Sequence, residues 1–346
     1  MEYSNNTSQS NSPQKKSFSK IIEVYIHNFI QEIKHLSSYL EEYNYIGMDT
    51  EFPGIVFKLE QFTTDFYYKS IEKNVNNLKI IQLGLSLYNS KGENPNECST
   101  WQFNFHFDIS IDKYSNDSIS LLVNSGINFE KLKTNGIPHN LFAEYFMTSG
   151  LLLDKNIHWI SYHGATDFAY LLKLLINCNL PSDENNFTET LKIYFPSHFD
   201  IRILISGKEQ IKGGLKKLAQ NLEIERFGNV HQAGSDSLVT GDVFFSLLNK
   251  DYINKDDIKN YENILFGLGK GEDNNETISY VQFNNNVNTV NRNLNNQTAL
   301  NLHNPIYIPN IGFKGKNVNN GNFNVIGNVM VNGINNGMIM GYHNNY

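Results

Sequence analysis

Residues 45–52 read YIGMDTEF, a short run in which two carboxylates, Asp49 and Glu51, stand two positions apart. The Pro53–Gly54 pair stops the segment, so the stretch is predicted as a strand. Side chains alternate along a strand, which sends Asp49 and Glu51 to one face and Thr50 to the other. Ile46 and Met48 beside them are apolar, so this end of the strand is expected to be buried. Two carboxylates that lose hydration side by side need a cation, a proton or a basic partner, and a divalent metal ion answers all of this at once. The same D-x-E spacing is also common among surface charges, so the pair does not decide its own role.

Outward from this strand the chain reads as alternating elements. Ahead of it, Ile22, Ile26, Phe29, Ile30, Ile33, Leu36 and Leu40 recur at helical spacing and predict a helix over Ile21–Leu40. Behind it, the pattern predicts a helix from Thr64 to Lys79, then strands at Ile80–Tyr88 and Trp101–Phe107 joined by the hairpin loop NSKGENPNECS. Helical segments follow around Ser118–Val123 and Asn140–Thr148. A buried strand at Ile157–Tyr162 leads into a helix at Asp167–Ile176, and a further strand is predicted at Phe199–Ile205. Gly213–Leu222 and Ser235–Leu248 read as helices. Strands first, then helices alternating with single strands, predict an α/β domain with a mixed sheet and helices on both faces.

Composition bounds the function. The 346 residues are 40% apolar and 13% aromatic, enough for a sizeable core. A formal net charge of −7 gives no global basic field. Any nucleic acid must therefore be met by a local basic rim and by bound metal ions. Residues 1–17 are polar, lack the apolar centre of a signal peptide and are expected to form a disordered leader. Residues 271–346 are about one-third Asn with scattered Gly, and are expected to be a disordered tail because they bury too little to offset their ordering entropy. The folded domain is thus placed at 18–270. Cys98 and Cys178 have no metal-binding spacing and are expected to be reduced thiols. No run of about 18 apolar residues occurs, so no membrane span is expected.

Three further residues can carry chemistry. Asp167 and Asp236 fall near predicted helix starts, where an Asp also serves the first-turn amides. His231 precedes Asp236 on a loop containing Gly234, a place where a surface His is common. Taken together, D-x-E on an early strand, Asp after a middle strand and H-x4-D at a late helix follow in one order. Four carboxylates can hold two Mg²⁺ or Mn²⁺ ions roughly 3.5–4 Å apart, one acidifying a water and the other stabilising a leaving oxygen. A neutral imidazole beside that water can take its proton. Hard oxygen ligands favour Mg²⁺ or Mn²⁺ over zinc.

This order resembles the layout of the DEDDh exonucleases, and the resemblance sharpens segment by segment. GMDTEFPG (47–54), LKIIQLGL (78–85), STWQFNFHF (99–107), DFAYLLKLL (167–175), KGGLKKLA (212–219) and HQAGSDSL (231–238) are similar to the Pop/Caf deadenylase family. The similarity runs from about Ile21 to Gly269. It implies an RNase H-like (DEDD exonuclease) fold and a 3′-to-5′ exoribonuclease that removes poly(A) tails from mRNA and releases 5′-AMP. On that basis Asp49, Glu51, Asp167 and Asp236 are expected as ligands of two divalent cations, and His231 as the residue handling the water proton. The resemblance further implies single-stranded poly(A) RNA as substrate and the NOT scaffold of a CCR–NOT complex as partner. A second deadenylase of the endonuclease/exonuclease/phosphatase fold and BTG/Tob adaptors are further partners it implies, with a cytoplasmic and nuclear location. Poly(A) could be chosen by its stacked shape rather than by base-edge hydrogen bonds.

One segment departs from the family pattern. Where the family reads His-Ser-Gly-Tyr before the third Asp, this chain has His163-Gly164-Ala165-Thr166 and so lacks the aromatic ring. The departure bears on substrate contact and rate rather than on Asp167 itself. His163 is expected either in a hydrogen-bonded structural role or lining the pocket, and Lys212 either at a phosphate or as a solvated charge. Two competing readings stand beside the leading one: a broader DEDDh exonuclease, and a catalytically slow adaptor bridging the scaffold and a second nuclease.

Overall fold

In a computed structural model that describes residues 21–59, 65–211 and 213–269, YIGMDTE becomes the strand β2. In chain order the elements are β1 (Ile21–Val24), α1 (Phe29–Ser37), β2 (Tyr45–Glu51), α2 (Phe66–Asn77), β3 (Gln82–Tyr88) and β4 (Thr100–Asn104). Next come α3 (Asn116–Asn124), α4 (Phe129–Asn135), α5 (His139–Phe146), β5 (His158–Ser161), α6 (Ala165–Ile176) and α7 (Glu184–Tyr194). The series ends with β6 (His198–Asp200), α8 (Ile201–Leu204), α9 (Leu215–Asn221) and α10 (Ala233–Asn249). The expected leader and tail, and Lys212, lie outside the described residues.

The strands form one mixed sheet in the order β1-β4-β3-β2-β5-β6. β2 pairs antiparallel with β3 and parallel with β5, so it runs through the middle. The hairpin expected between the two β-rich runs is present as the antiparallel β3–β4 pair. Alternation along β2 sorts its side chains as expected. Ile46 and Met48 enter the core cluster shared with Phe29, Phe142 and Phe168, whereas Tyr45 packs with the cluster of Val239, Val243 and Phe244 on the other side. Helices α1, α2, α5 and α6 therefore cover one face and α10 the other. Nearly every residue of α10 is buried, because this helix packs on the strands and shares its apolar cluster with residues of α8 and α9. Trp101 and Trp159 are fully buried, each contributing on the order of 2–3 kcal/mol of apolar burial. No helix among the described residues is long and apolar enough to cross a membrane.

Two expectations are corrected. The start of the Ile21–Leu40 helix is instead the edge strand β1, parallel to β4. The sequence IIEV carries no periodicity of its own, and the edge of β4 offers it a ladder of hydrogen bonds. The strand expected over Phe199–Ile205 stops at Asp200, whose carboxylate accepts from the amide of Arg202 at 2.9 Å and starts α8. Helices α4 and α7 were not anticipated. Their apolar residues are few, with Phe129 and Leu132 buried in one and Phe187 and Leu191 in the other.

Candidate active site

Two glycines let α10 touch the sheet. A Cβ on Gly47 would sit 2.5 Å from the carbonyl oxygen of Ser237, and one on Gly84 would collide with the carbonyl of Ala233. With both side chains absent, the N-terminal half of α10 presses onto the backbones of β2 and β3, its first turn against Gly84 and its second against Gly47. That contact lowers Asp236 toward the face of β2 that bears Asp49 and Glu51. Gly234 belongs to this first turn rather than to a preceding loop.

Asp236 is buried and held from two sides. Its Oδ2 accepts from the amide of His231 at 2.9 Å, and its Oδ1 accepts from Arg226 Nη1 at 2.7 Å. His231 is exposed and takes a left-handed backbone, φ 62°, which turns its amide toward Asp236. Glu51, His231 and Asp236 can bring one ligand atom each within 4.8 Å of one another.

Asp167 arrives from the opposite face of the sheet. It lies in the first turn of α6, where it does not cap the helix; Gly164 holds that position. Its Oδ1 instead accepts from the amide of Thr50 at 3.1 Å and from the Thr50 hydroxyl. Thr50, sent away from Asp49 and Glu51 by the strand period, thus reaches the carboxylate that comes from the other side.

The turn before α6 has its own anchor. Asp200, fully buried, accepts from the amides of His163 at 2.8 Å, Gly164 at 3.1 Å, Arg202 at 2.9 Å and Phe266 at 3.0 Å. Burial pushes its carboxyl up and those amides pull it down. His163 contributes its amide to that anchor. Its Nε2 and the Tyr67 hydroxyl are 3.0 Å apart, and its ring meets Phe266 edge-on with centroids 5.0 Å apart.

The electrostatics show a shortage of positive charge. Burial, followed by the nearby Asp236, Asp167 and Glu51, holds Asp49 well above the usual carboxylate range, with Arg226 pulling the other way. Burial and then Asp236 and Asp167 push Glu51 up to about 8. Burial raises Asp167 to about 6 against the hydrogen bonds from Thr50. Carboxylates raised by burial and by one another, with oxygen donors converging, suit hard divalent cations.

Of the five residues singled out from the sequence, Glu51, His231 and Asp236 are brought within ligand distance of one another, and Asp49 and Asp167 lie within electrostatic reach of them. Glu51, His231 and Asp236 stand closest. Asp49 joins them through mutual repulsion, and Asp167 through the same field and through Thr50. Sequence reasoning missed Thr50, Arg226 and Asp200, whose partners are distant or irregularly spaced in the chain.

Comparison with known proteins gives a consistent picture. Residues 24–145 match the CAF1 family ribonuclease. The probable CCR4-associated factor 1 homolog 7 of Arabidopsis thaliana is 42% identical over 259 residues, which are 72% of this chain and 94% of that protein. The poly(A) ribonuclease pop2 of Schizosaccharomyces pombe is 39% identical over 272 residues, 77% of this chain and 81% of that protein. Among solved structures, S. pombe Pop2p in its Mg²⁺- and Mn²⁺-bound form superposes with a TM-score of 0.69 at 40% identity, covering 72% of this chain and all of that one. A chain of the structure of the yeast NOT1 MIF4G domain co-crystallized with CAF1 superposes with a TM-score of 0.61 at 30% identity, covering 71% of this chain and 96% of that one. The fold is the RNase H-like fold of the DEDD exonucleases.

Proposed function

This chain belongs to the CAF1 ribonuclease family, and on that premise we propose that it is a 3′-to-5′ exoribonuclease shortening poly(A) tails as a catalytic subunit of a CCR4–NOT-type complex. One observation carries the reading: acidic side chains from β2, α6 and α10 converge at one end of the sheet, with His231 beside them. We assign Asp49, Glu51, Asp167 and Asp236 as the groups that would hold two Mg²⁺ or Mn²⁺ ions within the domain 18–270. Bound there, such ions supply Lewis acidity for phosphodiester hydrolysis.

The chain's own residues do the rest. Thr50 fixes one oxygen of Asp167, so that carboxylate meets its ligand without searching rotamers. The His231 amide fixes one oxygen of Asp236 in the same way. In this reading the exposed His231 ring, beside Glu51 and Asp236, accepts a proton from the attacking water at a ring nitrogen. A turn held by Asp200 keeps α6, and hence Asp167, in register with β2.

Single-stranded poly(A) RNA is the substrate in this reading, and a NOT scaffold subunit the partner. A second deadenylase of the endonuclease/exonuclease/phosphatase fold and BTG/Tob-type adaptors are finer assignments supported by family membership, as is action in cytoplasm and nucleus. Thr166, standing where the family carries an aromatic ring, favours a second reading, a slow adaptor.

The test is a 5′-labelled RNA with an oligo(A) tail, incubated with the full chain in Mg²⁺, Mn²⁺ or EDTA beside Asp49→Ala. Stepwise shortening from the 3′ end is expected with either metal, and none with EDTA or the variant. Wild-type activity in Asp49→Ala would contradict the site, and scaffold binding without hydrolysis would favour the adaptor.

A further inference from the structure

Arg226 is in direct contact with the carboxylate of Asp236. It lies on the irregular segment between α9 and α10, which is pinned to the end of α3. Asn229 Nδ2 and Gln232 Nε2 both donate to the carbonyl of Ser125, at 3.0 and 3.1 Å, and the Ser125 hydroxyl donates to the carbonyl of His231 at 2.8 Å. From this fixed loop Arg226 Nη1 donates to Asp236 Oδ1 at 2.7 Å and to Ser235 Oγ at 3.0 Å. The pair is shielded, with 18% of the Arg226 side chain and 10% of the Asp236 side chain exposed. A guanidinium so placed is an ordered, poorly screened charge rather than a surface ornament.

We propose that Arg226 is the resident counter-ion of the acidic cluster, competing with a divalent cation for the charge of Asp236 and so setting how tightly that cation binds. The inference rests on the metal reading above and deepens it. Without a divalent cation, one guanidinium 2.7 Å from Asp236 offsets part of the negative charge gathered there. When a divalent cation arrives, the same positive charge repels it and shares its ligand. Arg226 therefore stabilises the metal-free protein and weakens metal affinity, trading tight capture for exchange. A residue that merely oriented Asp236 would act with the opposite sign, since its loss would loosen the ligand and weaken binding. The direction of the change separates the two.

The experiment uses the full chain as wild type, Arg226→Gln and Arg226→Lys. Mn²⁺ is titrated while the free aquo ion is read by electron paramagnetic resonance, and thermal midpoints are measured in EDTA. Arg226→Gln should bind Mn²⁺ about tenfold more tightly, about 1.4 kcal/mol. It should also melt earlier than wild type in EDTA, because a shielded carboxylate has lost its partner. Arg226→Lys, which keeps the charge, should stay close to wild type in both measurements. Equal or weaker Mn²⁺ binding by Arg226→Gln overturns the proposal, as does an unchanged midpoint in EDTA. Failure of the wild type itself to bind Mn²⁺ sinks the metal reading instead, and the EDTA comparison then decides the counter-ion role alone.

Discussion

Thr50 donates both its backbone amide, at 3.1 Å, and its hydroxyl to the same oxygen of Asp167, a residue 117 positions later in the chain. The bond joins the two faces of the sheet, since Thr50 points away from the side that carries Asp49 and Glu51. Replacing Thr50 by Val keeps the β-branched shape and removes the hydroxyl. Asp167 then loses one of its two Thr50 donors, and its carboxyl, already raised to about 6 by burial, rises further. Turnover on oligo(A) at neutral pH should fall about tenfold, roughly the effect of one lost positioning hydrogen bond. Unchanged turnover would show that the amide of Thr50 suffices.

The raised carboxyls make the metal-free protein sensitive to base. Glu51, pushed up to about 8, binds its proton in the folded chain well above the pH at which an unfolded Glu releases it. The folded state therefore holds more protons across that window, and stability present at acid pH is lost as pH rises from about 4 toward about 8. In EDTA the thermal midpoint should drop by a few degrees, on the order of 4 °C, between about pH 5 and 8. Glu51→Gln should flatten the upper part of that fall. A midpoint that climbs over the same interval would contradict the assignment.

Asp49→Ala and His231→Ala should separate holding metal from moving protons. Loss of Asp49 removes a ligand and also relieves repulsion from Asp236, Asp167 and Glu51. Hydrolysis should vanish while the melting midpoint in EDTA holds or rises. His231→Ala keeps the amide that supports Asp236 and deletes the exposed ring. It should slow turnover by about 100-fold or more with Mn²⁺ affinity little changed. Calorimetric Mn²⁺ titration of both variants, beside single-turnover assays, checks the contrast.

Gly84→Ala tests how α10 is seated. The added methyl would meet the carbonyl of Ala233 and push the first turn of the helix off β3. Asp236 rides on that turn, so activity should fall by more than the loss of stability explains. Activity and unfolding free energy measured together decide it, and a variant with full activity would show that α10 adjusts without moving its carboxylate.

Much of the site was legible in the sequence because its parts obey local rules. The two-residue period of a strand put Asp49 and Glu51 together, and short spacing tied His231 to Asp236. What joins these parts was not legible. Thr50 looks like an ordinary strand residue until α6 supplies its partner, Asp200 like one more polar residue until four amides close on it, and Arg226 like a loop charge. The same limit explains the fold errors: IIEV is a strand because β4 offers it an edge, and Asp200 ends a strand because its carboxylate finds the Arg202 amide. Pairings of this kind are set by tertiary geometry, which periodicity does not encode.

The most direct measurement is an anomalous difference map from crystals of this protein soaked in manganese. Peaks bounded by the carboxylates of Asp49, Glu51, Asp167 and Asp236, lost in Asp49→Ala crystals, are the predicted result. A map with no peak among these side chains, from crystals that bind manganese elsewhere, would contradict it.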